Sequence, residues 1–97
     1  MTTTDERTTG RAGEATTTVH VRAFAAARAA LGWSERDLPT GSGVSVGDLL
    51  AGVLADAPDA VDVVARCSVL VDGVRADRSA PVPLGAVVDL LPPFAGG

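Results

Sequence analysis

Ser45-Val46-Gly47-Asp48-Leu49-Leu50-Ala51-Gly52-Val53-Leu54-Ala55-Asp56-Ala57 is the stretch from which the fold can be read. Its apolar residues Val46, Leu49, Leu50, Val53, Leu54 and Ala57 fall at i, i+3, i+4, i+7, i+8 and i+11. That spacing draws one apolar stripe along an α-helix. Ser45 stands at the N-cap position, where a short side-chain oxygen can accept from a free backbone N–H. Gly47 and Gly52 each cost a helix about 1 kcal/mol relative to Ala. Such a helix must draw its stability from packing its stripe onto a sheet. Pro58 ends it or opens a further helical turn through Val61 and Val64.

The sheet lies on either side of this helix in sequence. Upstream, Val19, Val21 and Ala23 alternate with Thr18, His20 and Arg22, the period of a half-buried strand. Ala25 to Leu31 is Ala-rich and stops at Gly32, so a short helix follows. Trp33 to Pro39 supplies a second strand, and Gly41-Ser42-Gly43 a loop. Downstream, Asp72-Gly73 separates the apolar runs Cys67–Val71 and Val74–Ala76, which predicts a hairpin closed by a type I′ turn. Asp77 to Gly85 is a loop carrying Pro81 and Pro83. Ala86 to Leu91 is a last strand, stopped by Pro92-Pro93. In that strand Val88 and Leu90 should face the helix. Asp89 should face water and share the open sheet face with Val87 and Leu91. Phe24, one residue past Ala23, falls on that same open face. The expected fold is α+β, a mixed four- to five-stranded sheet with one main helix packed across one face.

Composition bounds what such a domain can do. Ninety-seven residues allow one domain. Residues 1–17 hold seven Thr and no large apolar side chain after Met1, so a disordered N-terminal tail is expected there. The domain proper should run over 18–91, with 92–97 an extended C-terminal tail. Eight Arg and no Lys against twelve acidic residues give a net charge of −4. That balance argues against nucleic acid as a partner. No apolar run approaches a membrane span, and the Thr-rich start lacks the apolar core of a secretory signal. Cys67 is the one cysteine, too few for a disulfide, an iron–sulfur cluster or a structural zinc site, and a cytoplasmic, reducing location is expected.

The chemistry is expected in Leu91-Pro92-Pro93-Phe94-Ala95-Gly96-Gly97. Two prolines force the chain out of the sheet into an extended run. Six residues from Pro92 then reach on the order of 20 Å. Phe94 can anchor in a partner's pocket, while Ala95, Gly96 and Gly97 thin the chain to nearly bare backbone. A carboxylate on Gly97 would be a slender acyl group able to enter a narrow channel and meet an activated phosphate. Pro92 to Gly96 are therefore candidate passage residues and Gly97 the candidate reactive residue. The bland alternative for the two glycines is a frayed terminus.

These features resemble the MoaD family, the small sulfur-carrying subunit of molybdopterin synthase, grouped with ThiS and ubiquitin in the β-grasp fold. The resemblance covers about residues 19–97. It rests on Phe24-Ala25 with Arg28 and Gly32 after the first strand, on Val71-Asp72-Gly73, on Leu84-Gly85, and on the closing Pro92-Pro93-Phe94-Ala95-Gly96-Gly97. This chain departs in having Phe94 where the family often has Val, and Ala86 where it often has Asp after Gly.

The resemblance implies that a ubiquitin-activating-type enzyme uses ATP to adenylate Gly97. A sulfur donor would then convert it to a thiocarboxylate, and a MoaE-type large subunit would receive the tail. The sulfur would pass to cyclic pyranopterin monophosphate. No bound cofactor is expected. The chain has no Lys and no Gly-rich phosphate loop of its own, so it would act as the carrier rather than as a catalyst alone. Phe24, Arg28, Val87 and Leu91 are the candidate partner-binding residues. The bland reading of Arg28 is a solvated helix residue paired with a nearby Asp. Alternatives are a carrier for thiamine or cysteine synthesis, a ubiquitin-like protein modifier, and a β-grasp binding module with no covalent role. Cys67 reads as a small core residue, His20 as a lone residue on the polar side of its strand, and Asp56, Asp59 and Asp62 as a solvated helical face.

Overall fold

A computed structural model describes residues 18–93. Its strands are β1 (Thr18–Ala23), β2 (Glu35–Pro39), β3 (Ser68–Val71), β4 (Val74–Ala76) and β5 (Val87–Leu91). Its helices are α1 (Ala25–Leu31), α2 (Val46–Ala55) and α3 (Val61–Arg66), with a 3-10 turn at Pro58–Ala60 leading into α3. The strands form one sheet in the order β2-β1-β5-β3-β4. The central pair, β1 and β5, is parallel, and all other pairs are antiparallel. Three helices, the main one α2 with the short α1 and α3 beside it, cover one face. The short ones arise where Gly32 closes α1 in a left-handed C-cap and where Pro58 starts a new turn.

The core follows the two periodicities. Val19, Val21 and Ala23 of β1, Val88 and Leu90 of β5 and Val69 of β3 point to the helix face and are buried. Val46, Leu49, Leu50 and Val53 of α2 meet them, while Leu54 and Ala57 flank the cluster half-buried. Each fully buried Val or Leu contributes roughly 1.5–3 kcal/mol. No helix of the described residues is long and apolar enough to cross a membrane.

Local chemistry fixes the element ends. Ser45 Oγ accepts from Asp48 N at 3.1 Å, and Asp48 Oδ2 accepts from Ser45 N at 3.5 Å, a reciprocal cap on α2. Two more N–H groups of the first turn are satisfied from the β4–β5 loop. Val46 N donates to Ala80 O and Gly47 N to Arg78 O, both at 2.9 Å. A Cβ on Gly47 would stand 3.3 Å from that Arg78 oxygen, so this glycine permits a close backbone approach. Asp72 and Gly73 take φ of 50° and 83°, the two positive values a type I′ turn requires.

Asp89 does not face water. It lies on the open sheet face with Val87 and Leu91, as the alternation requires, but it is buried at 7% exposure. Arg22, its neighbour in register on β1, folds over it and shields it from solvent.

Candidate functional site

The root of the tail lies in an apolar groove on the open face. Ala23 points to the helices, so Phe24 emerges on the opposite side, 39% exposed. Its backbone N–H donates to Leu90 O at 3.2 Å, tying it to β5. The next residue, Ala25, has φ 51° and turns the chain sharply into α1. On β5, Leu91 shares Phe24's side of the sheet. On β3 the inward Val69 leaves Ser68 and Leu70 outward, with Ser68 opposite Leu91. The two-residue turn sets Leu70 opposite Arg75 of β4. These residues enclose a groove of about 570 Å³ whose lining includes Phe24, Leu70, Leu91, Pro92, Arg66 and Arg75. Pro93, the last described residue, also borders it.

Of the four candidate partner-binding residues, the structure brings Phe24 and Leu91 together. Val87 is half-buried at the other end of β5, held by Asp72, whose carboxylate accepts from Val87 N at 2.9 Å. Arg28 is exposed on α1 and does not line the groove. Among the described residues no carboxylate forms an ion pair with it. Pro92 and Pro93 follow Leu91 along the groove. Phe94, Ala95, Gly96 and Gly97, and the tail 1–17, lie outside the described residues. Leu70, Arg66 and Arg75 were not among the sequence candidates. The hairpin carried the signal for two of them, because a two-residue Asp-Gly turn fixes the register that pairs Leu70 with Arg75.

A polar ladder runs beside the groove. Arg22 donates from Nε to Asp89 Oδ1 at 2.6 Å and from Nη2 to Asp89 Oδ2 at 2.9 Å. Its guanidinium also lies 5.8 Å from the Phe24 ring centroid, within cation–π range. His20 stands between Asp37 Oδ1 on Nδ1 and Glu35 Oε1 on Nε2, each at 2.7 Å. The hydrogen bond to Asp37, then that to Glu35, raises the imidazole pKa above its ordinary value. Cys67 is buried, and burial pushes its thiol pKa up, so it is a core residue with little thiolate. Asp56, Asp59 and Asp62 are exposed, and among the described residues no group of three or more His, Cys, Asp or Glu could hold a metal ion.

The sheet order, the parallel central pair and the helical layer define a ubiquitin-like β-grasp protein. Comparison with known proteins places it more finely. The ThiS family matches residues 21–97, and the chain belongs to that family. Sequence comparison with curated proteins gives no match. Among solved structures the chain is similar to SAMP1 from Haloferax volcanii, with TM-score 0.75, 22% identity, and coverage of 82% of this chain and 99% of that one. It is similar to a Pyrococcus furiosus protein assigned as molybdopterin converting factor subunit 1, with TM-score 0.72, 24% identity, and coverage of 79% and 98%. It is also similar to a chain in the complex of subunits 1 and 2 of the molybdopterin-converting factor from Helicobacter pylori, with TM-score 0.59, 22% identity, and coverage of 82% and 99%.

Proposed function

We propose that this chain is the sulfur-carrying small subunit of a molybdopterin synthase. The observation that carries the reading is the junction of groove and tail. The chain leaves β5 at Pro92-Pro93 along an apolar groove, and the sequence then runs Phe94-Ala95-Gly96-Gly97. A groove at the tail's root lets a partner hold the domain while the thin end reaches a distant reaction centre. The likenesses to the Pyrococcus and Helicobacter proteins support the choice of pathway.

In this reading a ubiquitin-activating-type enzyme joins the Gly97 carboxylate to AMP and releases pyrophosphate from ATP. A sulfur donor attacks the acyl carbon and AMP leaves, so that a C–S bond replaces the C–O bond to phosphate. The large, MoaE-type subunit docks on the Phe24–Leu91 face and takes the tail. The thiocarboxylate sulfur attacks a side-chain carbon of the cyclic pyranopterin, where a C–S bond replaces a C–O bond and the oxygen leaves. Water then cleaves the resulting thioester, leaving sulfur on the pterin and a carboxylate on Gly97. Two carriers supply the two dithiolene sulfurs. The adenylating enzyme and the synthase's large subunit provide the catalytic groups, in the cytoplasm.

The test is molybdopterin formation from the pyranopterin precursor with purified large subunit and thiocarboxylated carrier. A carrier lengthened by one residue after Gly97 should give no product while remaining folded. Product at the unmodified rate would refute the reading. The likeness to SAMP1 favours a second reading, a protein modifier whose Gly97 forms an amide with lysines of other proteins. Its mark would be adducts on target proteins in place of molybdopterin formation.

A further inference from the structure

We infer that the groove receives an acidic protein segment, one apolar anchor flanked by carboxylates, and that Arg66 and Arg75 are the residues that select it. The inference rests on the proposed docking of a partner at this face and specifies that partner's chemistry. The domain is acidic overall, yet no Asp or Glu lines the groove.

The described arginines divide by their engagement. Arg22 is committed to Asp89, Arg36 to Asp56 at 3.3 Å, and Arg78 to the carbonyls of Val64 and Ala65. Arg66, Arg75 and Arg28 form no ion pair among the described residues. Two of those three line the groove. Asp62 lies one helical turn before Arg66 without forming an ion pair with it. On the strand beyond Leu70, Asp89 stands in register with it, and Arg22 already occupies both its oxygens.

The sheet and helix therefore set exposed cations from two different elements, β4 and the end of α3, around apolar walls. Phe24, Leu70 and Leu91 offer the surface for an anchor such as Leu or Phe. Guanidinium groups beside a desolvating apolar contact favour carboxylates and reject lysines. Like charges brought to the same groove would repel, so the arrangement discriminates as well as attracts.

The test is a titration of the ¹⁵N-labelled full chain with two capped tetrapeptides, Asp-Leu-Phe-Glu and Lys-Leu-Phe-Lys, followed by amide chemical shifts. The acidic peptide should shift the amides of Phe24, Leu70, Arg75 and Leu91, with affinity falling as salt rises. The basic peptide should bind about tenfold more weakly or worse. Arg66→Glu combined with Arg75→Glu should reverse that preference while leaving the core amides in place. The inference is overturned by equal binding of both peptides, by a preference unmoved by the double reversal, by shifts elsewhere on the surface, or by no shifts at millimolar acidic peptide. The titration involves no sulfur chemistry, so its result stands whether or not the chain carries sulfur. Conversely, a working carrier whose groove ignores charge would defeat this inference alone.

Discussion

Arg22 holds Asp89 by both carboxylate oxygens, 67 residues apart in sequence and adjacent in the parallel register of β1 and β5. The pair stitches the two central strands on the face opposite the core. Asp89 is nearly buried while Arg22 is 45% exposed, so the two partners do not contribute alike. Arg22→Leu should destabilise the domain, because it strands a nearly buried carboxylate, the exposed side of the pair moderating the loss. Adding Asp89→Leu should recover most of that, since no buried charge then remains. Urea unfolding of the two single variants and the double variant measures the coupling.

His20 predicts a pH dependence of known sign. Its folded pKa lies above the ordinary imidazole value of 6.5, through Asp37 first and Glu35 second. The charged ring donates to both carboxylates, and the neutral ring has one N–H only. Its stabilisation is therefore complete below the unfolded value and is lost as pH rises through the folded one. The stability difference between the natural chain and His20→Gln should shrink on going from mildly acidic to alkaline pH. NMR titration of the His20 ring should show its pKa fall in Asp37→Asn.

The two glycines of α2 should behave differently. Gly52 has open space where a Cβ would go, so Gly52→Ala should stabilise the domain by about 0.5–1 kcal/mol. Gly47→Ala gains the same helix propensity but drives a methyl to 3.3 Å from Arg78 O. It should give a smaller gain or a loss, visible as a lower melting temperature than that of Gly52→Ala.

What could be read from the sequence was local. The stripe on α2, its Ser45 cap, the left-handed stop at Gly32 and the Asp72-Gly73 turn all depend on residues within a turn of one another. Each is present as expected. What escaped depends on partners far along the chain. Asp89 looked like a solvated strand residue because nothing near it announces Arg22. Gly47 looked like a cost because its contact comes from the loop around Arg78. His20 looked solitary because Glu35 and Asp37 reach it only through the β1–β2 register. At the candidate site, Phe24 and Leu91 followed from alternation, while Arg66 entered the groove through the path of α3, which no periodicity reveals.

The groove residues should affect docking and leave folding largely alone. Leu91→Asp places a charge against Phe24 and Leu70 and should weaken binding to the proposed large subunit by about tenfold or more. Phe24→Ala should weaken it as well. Arg28→Ala, outside the groove, should leave it within about twofold. Isothermal calorimetry with purified subunits, alongside thermal melts of the isolated domain, separates docking from folding.

The central claim, that Gly97 is the sulfur-bearing acyl group, is tested most directly by intact-protein mass spectrometry. The chain is incubated with ATP, sulfide and its adenylating enzyme, and the C-terminal fragment is then sequenced. The account predicts a mass gain equal to one oxygen replaced by one sulfur, located on Gly97, absent without ATP and unaffected by Cys67→Ser. An unchanged Gly97 under conditions where the same enzyme thiocarboxylates another carrier, or sulfur found on Cys67 instead, would contradict it.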